Sequence, residues 1–233
     1  MTSMLRSRVR ALRAVLSGIR YRNWSTRDVF EEIYAKGKWG AGKEDGQFDS
    51  GSGSESLPSE PYIDLVRRYI QQNGIKSIVD LGCGDFRVGR HICEGLDVSY
   101  IGIDIVRPLV SHLNSNFSNQ NVRFACLDII DDELPEADMY LVRQVFQHLS
   151  NDQIGKIIQN IRGKTVLVTE HLPTAPVAYN KDKTAGPDIR LYRKSGVFLE
   201  HLPFSINTET LLEVSQPFNG IDAVLRTSLI RGL

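Results

Sequence analysis

The chain has 233 residues, 41% of them hydrophobic and 24% charged, enough for one globular domain with a sizeable core and a short extension. Its 28 Lys and Arg balance 28 Asp and Glu, so no net field recruits nucleic acid. Three cysteines without paired spacing point to a reducing compartment and no structural zinc, and no apolar run approaches the roughly 20 residues that span a bilayer. The expectation is a cytoplasmic protein, at most held peripherally at a membrane.

The charge is unevenly spread. Met1 to Arg27 carries seven arginines and no acidic residue, with Leu5, Val9, Leu12, Leu16 and Ile19 at helical spacing. Three readings of this basic amphipathic helix stand: docking on the domain or a second subunit, contact with anionic lipid, and a transit peptide. Ser25 with Asp28 predicts an N-cap for a helix through Val29 to Tyr34 that ends near Gly37. Lys38 to Pro58 is rich in Gly and Ser but contains Trp39 and Phe48. It reads either as a flexible linker or as a cover for a pocket, and the two aromatics favour the cover. Residues 1–60 are thus set apart from a main domain over 61–233.

Pro61 to Gln72 has the pattern of an amphipathic helix starting at the proline and ended by Asn73-Gly74. Ser77-Ile78-Val79-Asp80-Leu81 then reads as a buried parallel strand running into Gly82-Cys83-Gly84. Arg87 stands where a dinucleotide fingerprint needs its third glycine, and no Walker pattern follows. A second apolar run, Tyr100 to Ile103, ends in Asp104, where a carboxylate can accept bonds from ribose hydroxyls. A third, Val122 to Leu127, ends in Asp128. A ribose-bearing ligand without a pyrophosphate suits this pattern best, although each Asp could instead cap the turn that follows it. Alternating strands and helices predict an α/β domain whose ligands bind beyond the carboxyl ends of the strands.

These strand ends carry a family resemblance: V-D-L-G-C-G at 79–84 followed by Y-I-G-I-D at 100–104 resembles the first two binding motifs of class I S-adenosylmethionine-dependent methyltransferases. The resemblance implies a Rossmann-like, mostly parallel seven-stranded sheet with helices on both faces and a C-terminal antiparallel hairpin. It implies S-adenosyl-L-methionine as cofactor, with Asp80, Gly82, Cys83 and Gly84 at the methionine end. Asp104 would hold the ribose with Ile105 beside it, and Asp128 would meet the adenine amino group with Ile129 against the ring. It also implies that the segment before the first strand folds over cofactor and substrate as a lid, and its W-G…S-G-S-G-S order looks like small bacterial methyltransferases found among polysaccharide-modifying enzymes. No metal site is expected.

The fourth strand, Asp138 to Arg143, leads into Gln144-Val145-Phe146-Gln147-His148-Leu149, the best candidate for chemistry. A neutral His148 suits the proton of a methyl-accepting hydroxyl, and it could alternatively only hold its loop. Arg143 and Gln144 are expected to shape the pocket for cofactor and acceptor. The fifth strand, Lys164 to Thr169, is predicted to deliver Glu170 and His171 to the same edge, either as a second base or to orient the first. The long insertion Leu172 to Pro203 offers Asp188, Arg190 and Tyr192 as acceptor contacts, unless Arg190 merely pairs with an acidic neighbour. Leu211 to Ser215 and Ala223 to Ile230 close the chain as a hairpin.

The expected activity is methyl transfer to a hydroxyl of a saccharide or other small molecule. N- or C-methylation of a small molecule, and a non-catalytic nucleoside-binding scaffold, are the alternatives. Nucleic acid is not an expected partner, and the oligomeric state is not readable.

Overall fold

The computed structural model describes residues 18–40, 48–51 and 56–231. The arginine-rich stretch up to residue 17 and most of the Gly/Ser tract lie outside the described residues. The elements run α1 (Thr26–Ala35), α2 (Ser56–Asn73), β1 (Ser77–Leu81), α3 (Arg87–Cys93), β2 (Ser99–Asp104), α4 (Arg107–Phe117), β3 (Val122–Cys126), β4 (Met139–Arg143), α5 (Asn151–Asn160), β5 (Thr165–Pro173), β6 (Glu209–Ser215) and β7 (Ala223–Arg231). The strands form a single seven-stranded sheet in the order β3-β2-β1-β4-β5-β7-β6. Strands β1 to β5 pair parallel, while β7 runs antiparallel between β5 and β6. The fold is Rossmann-like, with the expected C-terminal hairpin.

Alternation along each strand divides the interior into two cores. Tyr140 and Val142 of β4 join Val79, Leu81, Val166 and Val168 beneath Ile154, Ile157 and Ile158 of α5. Met139 and Leu141 join Ile78 and Leu167 against α2 and α4, through Val66, Ile70, Leu109 and Leu113. Period two in a strand sends neighbouring residues to opposite faces, so an all-apolar strand needs helices on both sides. Met139 to Val142 are fully buried. Truncating one of them to alanine is expected to cost about 2–5 kcal/mol.

Local signals set the helix boundaries. The Ser25 side chain accepts from Asp28 N at the start of α1, and Ser150 with Gln153 forms a reciprocal capping box at the start of α5. Pro108 lies in the first turn of α4, as proline prefers. The start of α2 departs from expectation: the helix begins at Ser56, which leaves Pro61 inside it. Proline removes one donor and clashes with the preceding turn, but that cost falls within two turns of the helix start, and the buried face of Tyr62, Val66 and Ile70 outweighs it.

Candidate active site

Strands β1 and β4 are neighbours whose following connections depart in opposite directions, toward β2 on one side and β5 on the other. This switch point opens a crevice at the carboxyl ends of the strands, and a cavity occupies it, floored by the turn after β1 and the tract after β4. The two loops touch. Gly82 has φ +76°, and a Cβ there would lie 2.6 Å from Val145 Cγ2. Gly84 has φ +57°, and a Cβ there would lie 2.5 Å from Ser50 Oγ. Both positions need glycine for conformation and for space.

The three aspartates converge on this cavity, Asp80 from β1, Asp104 from β2 and Asp128 just beyond β3. Asp80 accepts a 2.6 Å bond from the Tyr100 hydroxyl. Burial pushes its carboxyl up to about 6, against the pull of that hydroxyl and of the Arg143 charge. Asp104 accepts from Gly84 N at 3.2 Å through Oδ2 and from Val106 N at 3.0 Å through Oδ1. Burial again dominates and pushes its carboxyl up to about 6. Each oxygen carries a second lone pair, so a buried carboxylate held by backbone amides, without a cation among its hydrogen-bond donors in the described residues, suits two hydroxyl donors of a ribose. Asp128 also serves its own turn, accepting from Ile130 N at 3.0 Å, so it both caps the turn and lines the cavity. Ile105 and Ile129 give the cavity apolar walls beside their aspartates, and Cys83 lines it between the two glycines. Burial drives the Cys83 thiol well above its ordinary range, which leaves it a filler and not a nucleophile.

The described part of the segment before β1 roofs the cavity. Phe30 and Tyr34 of α1, four residues apart and so on one helix face, line it together with Trp39. Ser50 is bound both ways to the glycine turn: its N–H donates to Asp85 Oδ2 at 2.9 Å, and its Oγ accepts from Asp85 N at 2.7 Å. Arg27 reaches the Ile105 carbonyl at 2.5 Å, and Trp39 Nε1 reaches the Pro187 carbonyl at 3.4 Å. Phe48 packs on Tyr34 and His112. The roof is therefore fastened to three strand-end loops.

After β4 the chain turns sharply. Gln144 has φ +58°, and Phe146–His148 form one 3-10 turn. His148 lines the cavity with Arg143, Gln144 and Gln147, and its ring lies 4.9 Å from the Trp39 ring. His148 Nδ1–H donates to the Gly186 carbonyl at 3.2 Å. That tautomer, assigned from the carbonyl partner, leaves Nε2 as the acceptor. Burial, with the Lys183 ammonium adding to it, pushes the imidazole down to about 3, so it is neutral at physiological pH.

Ionisable side chains grip the backbone of this turn from behind, and burial pushes the Glu170 carboxyl up to about 8 and the Lys183 ammonium down to about 7. Glu170 is 3% exposed. Its Oε1 accepts from Phe146 N at 2.9 Å and its Oε2 from Gln147 N at 3.0 Å. On the carbonyl side, Lys183 Nζ donates to His148 O at 3.0 Å and Arg190 donates to Leu149 O at 2.7 Å. Glu170 is thus a positioning residue. Glu170→Gln turns one oxygen into an NH2 that faces a backbone N–H, so we expect about 2–3 kcal/mol lower stability. Amide hydrogen exchange should show faster exchange at Phe146 and Gln147, and unchanged protection there would refute the role.

The structure does not bring every expected residue to the cavity. Strand β5 continues to Pro173, beyond the predicted end at Thr169, because β7 pairs with it over its whole length. Glu170 and His171 therefore lie inside a paired strand and neither lines the cavity. His171 Nε2 meets the Gln216 carbonyl at 2.7 Å and its ring packs edge-on against Phe218. Of the expected acceptor contacts in the insertion, Arg190 is 2% exposed and donates to the carbonyls of Lys181 and Leu149 instead of pairing with Asp188. Tyr192 packs against Phe218. The insertion braces the turn after β4. The sequence left Glu170 as a second base or as the group that orients the first; it holds the backbone of the turn that carries His148, through the two residues before the ring.

Residues 78–165 match a family model described as a methyltransferase domain. Over 119 residues the chain is 29% identical to a carboxy-S-adenosyl-L-methionine synthase of Idiomarina loihiensis, covering 46% of this chain and 48% of that protein. Over 94 residues it is 29% identical to a malonyl-[acyl-carrier protein] O-methyltransferase of Acetivibrio thermocellus, covering 39% of this chain and 33% of that protein. The matched region is thus about half the length of the first relative and a third of the second. Among solved structures, the 1,6-didemethyltoxoflavin-N1-methyltransferase of Burkholderia thailandensis, with bound S-adenosylhomocysteine, shares the fold at a TM-score of 0.56 and 15% identity, covering 88% of this chain and 87% of that one.

Proposed function

We propose that this chain, whose residues 78–165 match a methyltransferase domain, is a class I S-adenosylmethionine-dependent methyltransferase that moves the methyl group of S-adenosylmethionine to a hydroxyl of a saccharide or other small molecule. The observation that carries the reading is the convergence of Asp80, Asp104 and Asp128, from adjacent strands, on one cavity beside the glycine turn. Asp104 would hold the ribose, Asp128 and Ile129 the adenine, and Asp80 with the 82–84 turn the methionine end. The bound cofactor supplies an electrophilic methyl group on a sulfonium sulfur.

His148 supports oxygen as the acceptor atom. Its Nε2 accepts the hydrogen bond of the incoming hydroxyl, which points an oxygen lone pair at the methyl carbon. An acceptor oxygen that took the methyl group, with the C–S bond breaking, would be left as a protonated ether, a far stronger acid than an imidazolium of pKa about 3. The proton then passes to Nε2 even though burial has weakened the base. Trp39, Phe30 and Tyr34 give the cavity an apolar aromatic wall on its roofed side.

Calorimetric titration with S-adenosylhomocysteine, with NAD in parallel, tests the cofactor assignment. Micromolar binding of the first and none of the second is expected, and the reverse would overturn it. The pH dependence is a second test. Asp104 in the free protein has a pKa raised to about 6, and ribose hydroxyls bind the ionised form. Affinity should therefore be level above pH 7 and fall as pH drops through 6, about tenfold by pH 5. A profile that stays level from pH 5 to 8 would separate Asp104 from the ligand.

The cytoplasmic setting and any contact of the arginine-rich stretch with a membrane remain part of this proposal. Among the described residues no helix is long and apolar enough to cross a membrane.

A further inference from the structure

Gln144, Gln147 and the neutral His148 line the cavity just beyond the end of β4, and they leave a defined set of hydrogen-bonding positions. Gln147 is 4% exposed, and its Nε2 donates to Gln144 O and Gln144 Oε1, both at 3.3 Å. The backbone carbonyl fixes which end of the Gln147 amide is nitrogen, because an oxygen there would meet another acceptor. Two buried atoms are then left without a partner among the described residues, the donor Gln144 Nε2 and the acceptor Gln147 Oε1. Beside them His148 Nε2 is an acceptor, 3.5 Å from Gln147 Nε2. Gln144 is held in the left-handed region at φ +58°, strain that a non-glycine residue keeps only where the surroundings impose it.

The ionisable side chains around this group are directed elsewhere. Arg143 lies over the Tyr62 ring at 5.1 Å and faces Asp80. Lys183 and Glu170 bind the backbone of the turn from its far side. A carboxylate on the acceptor would have to compete with Asp80 for Arg143, whereas the buried amide groups are unmatched, and such groups are costly and therefore discriminating.

Resting on the methyl-transfer reading, we infer that Gln144 and Gln147 form the specificity site for a neutral acceptor bearing adjacent hydroxyls, a vicinal diol. The reacting hydroxyl donates to His148 Nε2 and accepts from Gln144 Nε2, and the neighbouring hydroxyl donates to Gln147 Oε1. The Trp39 ring, which covers His148, supplies the flat face against which a sugar or catechol ring lies.

The test uses the full chain saturated with S-adenosylhomocysteine and ligand-observed NMR. One arm titrates catechol, phenol and benzoate; the other titrates methyl glucoside and its 3-deoxy counterpart, which keeps three hydroxyls but no adjacent pair. In at least one arm the diol should bind tenfold or more tighter than the compound lacking one hydroxyl, and benzoate should be weakest in its arm. Which arm responds identifies the source of the diol. Gln147→Met and Gln144→Asn should each remove the discrimination while S-adenosylhomocysteine affinity holds, which also reports that the variants fold. Equal binding of diol and mono-ol, preference for benzoate, no binding in either arm, or discrimination that survives both variants would overturn the inference. If the wild-type chain fails to bind S-adenosylhomocysteine, the methyl-transfer reading falls first.

Discussion

Asp104→Ala is expected to weaken S-adenosylhomocysteine binding by about 100-fold or more. Two losses add in this variant. The carboxylate that would accept the ribose hydroxyls disappears, and hydrogen bonds to a charged acceptor contribute about 1.5–3 kcal/mol each. The amides of Gly84 and Val106 also lose their acceptor, which loosens the glycine turn on one side and the start of α4 on the other. Asp104→Asn separates the two. It keeps the shape and one acceptor oxygen but removes the charge, so it should bind about tenfold more tightly than the alanine variant. It should also lose the part of the acid limb that belongs to Asp104, leaving the part that belongs to Asp80, whose carboxyl is also raised to about 6. Calorimetry on all three proteins, with thermal unfolding as a check on folding, measures this. Binding by Asp104→Ala within threefold of wild type would show that the ribose lies elsewhere.

The parts of this fold that were legible in the sequence are those set by local patterns. Strand β1 was readable to the residue because Ser77 to Leu81 is a short apolar run cut off by Gly82, and the ends of β2 and β3 were marked by the acidic residues that follow their apolar runs. Capping at Ser25 fixed the start of α1. What failed depended on partners far away in the chain. The end of β5 is set by β7, about fifty residues on, which extends the strand through His171 to Pro173. The start of α2 is set by what its apolar face covers. Arg190 looked like a surface contact because an arginine in a long loop is usually exposed, yet the carbonyls of Lys181 and Leu149 draw it inside.

The roof shows the same limit from the other side. Trp39 and Phe48 hinted at a cover, but the fastening of Ser50 to Asp85 joins two short polar residues on separate loops. No spacing or periodicity relates them. Their contact follows from the narrowness of the turn at Gly84, where the missing Cβ makes room for the serine hydroxyl.

His148→Ala should separate catalysis from cofactor binding. The ring contacts Trp39, Gln147 and Gly186 but none of the three aspartates, so S-adenosylhomocysteine affinity should stay within about twofold of wild type. Initial rates of S-adenosylhomocysteine release, with the best acceptor found among sugars and phenols, should fall about 100- to 1,000-fold in kcat, the scale of a lost proton acceptor. His148→Gln offers a hydrogen-bond acceptor that takes up no proton, and should recover the acceptor KM without recovering kcat. The acceptor adds a further distinction. A phenol ionises far more readily than a sugar hydroxyl and depends less on the base, so the loss should be larger for the sugar. Equal, small losses for both acceptors would reduce His148 to a group that shapes its loop, and attention would pass to Gln144 and Gln147 as the residues that align the hydroxyl.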